Sequence, residues 1–164
     1  MTAAQQVKDA MLARFAEADI AATETFSKEK FRAPESALIA LGVRQAQIDR
    51  AGLLDYLGER YDETRGTVVE LYGRELKLTL SLDSYGKSAR ECEACSEKAA
   101  AALLAALPSG LRVEEMRFDA AEWDGQYALF CRRGSAVCTA FFTAEADGDE
   151  TVVRDFILKG TVCK

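Results

Sequence analysis

The sequence predicts an α+β domain: a mostly antiparallel sheet of four to five strands, a central helix packed on one face, and an N-terminal helix. Three observations carry this. ELKLTLSLD, residues 75–83, puts Leu76, Leu78, Leu80 and Leu82 on one face and Lys77, Thr79, Ser81 and Asp83 on the other. That period of two marks a half-buried strand. Ser88 and Glu91 form an S-x-x-E capping box before an alanine-rich stretch that ends in PSG, 108–110, the signals that open and stop a helix. The last third of the chain then reads as three strands: LRVEEMRF, the run 126–146, and TVVRDFILKGTV.

The elements follow in order. Val7, Met11, Leu12 and Phe15 recur at helical spacing, so residues 3 to about 19 form an amphipathic helix with Thr2 as its N-cap. TETFSKEKFRAPES is expected to be irregular or an edge segment, ended by Pro34. ALIALGV, 37–43, is a short apolar run and reads as a buried strand. The stretch 44–66 has no sustained period and contains Gly52, Gly58 and Gly66. It reads as a long loop, which is uncommon inside a compact domain and often functional. TVVELY is expected to pair with or extend the leucine strand, with Gly73 as a turn or bulge. A break at Arg133-Gly134 is expected within 126–146, and ADGDE reads as a hairpin turn.

The 164 residues fit a single domain, 1–164, of 49% apolar content with two prolines. Net charge is −6, and the 21 basic residues form no block, which argues against nucleic-acid binding. No apolar run is long enough to span a membrane. The N-terminal stretch has no signal-peptide apolar region, so a cytosolic folding environment is expected. Histidine is absent. Its absence removes the commonest general base and metal ligand, together with the Ser-His and Cys-His nucleophile pairs. No P-loop, G-x-G-x-x-G or G-x-S-x-G motif is present. The expectation is a protein that is not an enzyme and needs no cofactor.

Cys92 and Cys95 stand in a C-x-x-C spacing. On a helical wheel they fall with Ala99, Leu103 and Ala106, opposite Arg90, Glu91, Glu93, Glu97 and Lys98. Both sulfurs are therefore expected beneath the helix as core. A redox pair would sit at the helix N-terminus, whereas Cys92 lies four residues past the cap beside two glutamates. A structural zinc site needs four ligands, and Cys131, Cys138 and Cys163 form no second C-x-x-C. A thiol-disulfide or metal-linked enzyme built on Cys92 and Cys95 stays as the alternative.

Two further patterns concern surfaces. The acidic stretch 144–150 lacks the spacing of a calcium loop and reads as a solvated hairpin tip. Tyr56, Leu57 and Tyr61 lie among charges in 55–66, either as a contact surface or as a lid folded onto the domain. In the late strands Ala136, Cys138, Ala140 and Phe142 oppose Val137, Thr139, Phe141 and Thr143, and Ile157 opposes Leu158. Large apolar groups on both faces require cover from the N-terminal helix with the 44–66 loop, or from a second copy. The expected interface residues are Tyr56, Leu57, Tyr61, Phe141 and Ile157.

DYLGERYDETRG, ELYGRELKLTLSLDSYG, the alanine-rich helix ending LPSG, FCRRGSAVCTAFFTAEA and DFILKG together resemble small proteins of prophage tail modules in gut Firmicutes. Their order is similar to that of the phage tail terminator family over most of residues 35–160. The resemblance implies a virion structural protein: a tail terminator or neck subunit forming a homo-oligomeric ring, commonly hexameric. Such a ring caps the tail tube and docks to the head-tail connector. It would be made in the bacterial host cytoplasm and retained in the virion tail. A tail-assembly chaperone or adaptor is a further alternative. No functional residue of the family is carried over to this chain.

Overall fold

The structure is a computed structural model that describes residues 2–25, 34–147 and 157–158, with backbone alone for 51–54. The element order is α1 (Ala3–Glu17), β1 (Ala22–Glu24), β2 (Leu38–Asp62), β3 (Thr67–Gly86), α2 (Ala89–Ala105), β4 (Leu111–Asp124), β5 (Leu129–Asp147) and β6 (Ile157–Leu158). The strands form one sheet in the order β1-β2-β3-β5-β4, with β6 paired to β5. The α+β class is as expected. The sheet is larger, with six described strands, and it is mixed, because β1 runs parallel to β2 while every other pair is antiparallel.

Both helices begin where their caps dictate. Thr2 accepts a hydrogen bond from the Gln5 amide at 3.2 Å, and Ser88 from the Glu91 amide at 3.2 Å. Helix α1 stops in a Schellman motif. Asp19 adopts φ +56°, the Ile20 amide donates to the Phe15 carbonyl at 2.9 Å and the Asp19 amide to the Ala16 carbonyl at 3.1 Å. Ile20 is thereby delivered into the core.

Val7, Met11 and Phe15 of α1 and Ala99, Ala102 and Leu103 of α2 form one cluster with Leu76, Leu78, Leu80 and Leu82 of β3 and Ala136, Cys138, Ala140 and Phe142 of β5. Arg14 Nε joins the helices by donating to the Ala102 carbonyl at 3.0 Å. Both helices therefore lie on the same face of the sheet, and α1 does not cover the second face. That second face tolerates water because it is mostly polar: Lys77, Thr79, Ser81 and Asp83 on β3, in register with Thr139 and Ser135 on β5. A small cluster of Ala40, Tyr85, Leu129 and Cys131 closes one end of it.

The stretch 44–66 is not a loop. Residues 44–62 continue β2, which pairs with β3 down to Asp62↔Thr67. Register shifts between Val43 and Gln45, Ala51 and Tyr56, and Tyr56 and Gly58 interrupt the strand. The first and third shifts insert one residue each and flip the side-chain phase, and the second inserts four, which is why no period was legible there. Gly73 is neither turn nor bulge. It lies inside the unbroken β3, and the bulges sit in the facing strand. At Arg133-Gly134, where a break is expected, β5 continues as one strand with its register to β3 kept, but these two residues have no ladder partner on β3. Gly134 is instead a point of close approach, where an added Cβ would lie 2.5 Å from Phe118 Cδ1. Residues 26–33, positions 148–150 of the acidic turn, and the final strand apart from Ile157–Leu158 lie outside the described residues.

At about 3.3 Å per residue, the twenty residues of β3 span about 65 Å. A compact domain of this size is about 40 Å across. Along β3 the helix-packed cluster reaches Leu76, and Phe142 of β5 with Leu158 of β6 carries it to the row of Arg74. Beyond that row β2, β3 and β5 run on as an arm, in which Val69, Ala144 and Ala146 are buried. Its tip is the turn after Asp62, whose Oδ1 accepts from the amides of Thr64 at 2.9 Å and Arg65 at 3.2 Å. These bonds, the Arg65 amide first, hold the Asp62 carboxyl below its ordinary range.

Candidate self-association surface

The arm brings the expected interface residues together in two groups. Along β3 the even positions face the helix side and the odd positions the opposite side. Tyr56 pairs with Tyr72 and Tyr61 with Val68, which places both tyrosines on the helix side, beyond the helices. They are not a lid. Tyr61 is 62% exposed and Tyr56 40%. Tyr56 meets Tyr72 edge-on, with ring centroids 5.8 Å apart. The Tyr72 hydroxyl donates to Glu70 Oε2 at 2.6 Å. Burial of its hydroxyl, followed by the nearby Glu59 carboxylate, raises the Tyr56 pKa above its ordinary value.

Leu57, Phe141 and Ile157 converge on the other side. Gly73 of β3, Thr143 of β5 and Ile157 of β6 stand in one row across three strands. Leu57 and Phe141 both reach over Gly73, where a Cβ would lie 2.7 Å from Leu57 Cδ1 and 2.8 Å from Phe141 Cζ. Leu57 and Ile157 remain partly exposed. Sequence reasoning missed Ile48 and Val68, both exposed on the helix side of the arm. Ile48 pairs with Leu76 and Val68 with Tyr61, placements legible only once 44–62 is recognised as a strand.

The base of the arm holds a strained polar centre. Asp55 adopts φ +69° at the bulge between Ala51 and Tyr56. Its Oδ2 accepts from Arg74 Nε at 3.0 Å, while its buried Oδ1 has no hydrogen-bond partner. Arg60 and Glu145 pair across the arm.

Two sheet edges lack a partner strand among the described residues. β1 pairs with Ile39–Leu41 only, so the remaining outer edge of β2 has no partner strand among the described residues. The outer edge of β4 has none among them either. Unpaired edges present rows of backbone donors and acceptors that template pairing with another strand.

The cysteines occupy the positions expected of core residues. Cys92 is fully buried and Cys95 half-buried. The Cys92 thiol donates to the Phe130 carbonyl at 3.2 Å. Burial pushes the Cys92 thiol up, and pushes Cys95 and Cys131 to about 11 and Cys138 to about 12. A thiol held this far above neutrality is a poor nucleophile. Cys163 lies outside the described residues. No group of His, Cys, Asp and Glu that could hold a metal ion occurs among the described residues. No helix among them is long and apolar enough to cross a membrane.

No protein-family model matches this chain, and no curated protein matches it either.

Proposed function

We propose that this chain is a structural subunit that assembles with its own copies into a ring, as a phage tail terminator or neck protein does, and that it performs no catalysis. One observation carries the reading: a long arm with apolar groups exposed on both of its faces, attached to a sheet with two edges that have no partner strand among the described residues. An isolated domain has no use for an arm that exposes Tyr61, Val68, Leu57 and Ile157, whereas a subunit that embraces a neighbour uses such groups as anchors. Open edges at opposite sides of one sheet suit head-to-tail contact, and a head-to-tail interface closes into a ring when its rotation allows. The raised thiol pKa values favour this reading over a thiol enzyme. A hexamer, a tail tube and a head-tail connector as partners follow from the family resemblance.

The test is sedimentation velocity from 1 to about 100 µM, alone and with purified tail tube subunits from the same prophage. The expected result is a species at an integral multiple of the chain mass, six for a hexamer. Replacing Tyr61 and Ile157 together by serine is expected to abolish it while leaving the monomer folded. A chain that stays monomeric at every concentration, with and without tube subunits, refutes the reading.

A further inference from the structure

On the face of the sheet without helices, Arg44 of β2, Arg117 of β4 and Arg133 of β5 line one cleft of about 500 Å³ with Asp119, Gly134 and Ser135. We propose that this cleft binds an oxyanion, a phosphate or carboxylate group held by guanidinium forks. The proposal is independent of ring assembly.

Local irregularities aim these three side chains. Arg44 sits at the register shift between Val43 and Gln45 of β2. Arg117 lies between the two register shifts of β4, Val113/Glu115 and Phe118/Ala121. Bulges redirect side chains and recur beside functional sites. Between β3 and β5 the pairing lapses between Ser81↔Ser135 and Ser84↔Arg132, under the same cleft. There the Gly134 amide donates to Asp83 Oδ1 at 3.2 Å, and the Phe118 ring packs against Gly134 from the helix side. The floor is thus fixed, and three strands contribute one guanidinium each.

The charges are incompletely matched from within. Arg133 is exposed and has no ion-pair partner among the described residues. Arg44 reaches Asp83 only at 3.7 Å, and Asp83 Oδ1 already holds the Gly134 amide. Arg117 pairs with Glu115, both largely exposed; such pairs are weak and exchange readily for a better acceptor. Asp119 is the one acid in the lining. Three arginines line the concavity with Asp119, and Asp83 and Glu115 stand beside it, so an anion would meet the guanidinium of Arg133 first. Arginine suits the role because its planar donors match the paired oxygens of phosphate and carboxylate.

The test is calorimetric titration with sodium phosphate and, separately, sodium succinate at constant ionic strength, with amide NMR shifts recorded in parallel. Saturable binding of at least one anion is expected, with shifts centred on Gly134 and Ser135. The anion that saturates at lower concentration identifies whether phosphate or carboxylate is preferred. R133Q and the double variant R44Q/R117Q are expected to weaken binding at least tenfold, while R90Q, on the exposed face of α2, leaves it unchanged. Absence of saturation with both anions, equal weakening by R90Q, or shifts scattered away from Gly134 and Ser135 would mean an adventitious ion only and overturns the proposal. The shifts are read on the unmodified protein, so the test survives a variant that does not fold.

Discussion

Leu57 and Phe141 close over Gly73 from two strands, leaving no room for a Cβ between them: it would stand 2.7 Å from one side chain and 2.8 Å from the other. Both side chains, one from the bulged segment of β2 and one from β5, seat on Gly73 of the intervening β3. Gly73→Ala must push one of these groups aside. Overpacking of this kind costs about 1–3 kcal/mol, so a fall of that size in unfolding free energy from urea titration is expected. A variant as stable as the parent would show that the two side chains yield without cost.

Asp55 tests how the arm is anchored. At φ +69° an alanine carries a left-handed penalty of about 1 kcal/mol that glycine escapes. Asp55→Gly and Asp55→Ala both lose the bond to Arg74, so the difference between them isolates the backbone. Asp55→Ala is expected to be the less stable by about that amount. Equal stability would mean that the bulge relaxes out of this conformation.

The thiols give a kinetic prediction. With its pKa pushed to about 11, Cys95 is ionised in about one molecule in ten thousand at pH 7. Native protein is expected to react with a maleimide at Cys95 far more slowly than a free thiol does, and not at all at Cys92 until denatured. Mass spectrometry after timed quenching locates the label. Rapid labelling of both residues at neutral pH revives the thiol-enzyme alternative.

Alkaline pH is expected to destabilise the fold. Cys95, Cys131 and Cys138 all titrate above their ordinary value near 9, because burial disfavours the thiolate. The folded state then retains protons that the unfolded chain releases. Their contribution is complete below pH 9 and is lost as pH rises from there toward 12. The urea midpoint at pH 10.5 should lie below that at pH 8, and a flat profile contradicts the burial.

The cap of α2 is a separate and local test. Ser88→Ala removes the acceptor for the Glu91 amide, and loss of such a cap typically costs about 1 kcal/mol. The Lys87 amide keeps its bond to Glu91 Oε2 at 2.9 Å. A larger loss, measured by thermal unfolding, would indicate that the serine also supports the sheet beneath it.

The local elements were determined by sequence alone. The caps of Thr2 and Ser88, the leucine face of β3 and the buried stripe of α2 are each set by interactions within a few residues, so pattern and chemistry suffice to place them. Candidate contact residues could be named one by one, because tyrosines among charges and two-sided strands are visible in the chain. Their partners were not legible. That Leu57 and Phe141 share a face over Gly73 while Tyr56 turns to the opposite one depends on register shifts in β2, and a one-residue shift inverts every side chain that follows. The parallel β1–β2 pair, the arrangement of both helices on one face, and the gathering of Arg44, Arg117 and Arg133 were likewise decided only by tertiary structure. These residues are far apart in sequence, and only packing of the whole sheet fixes which of their many possible neighbours they keep.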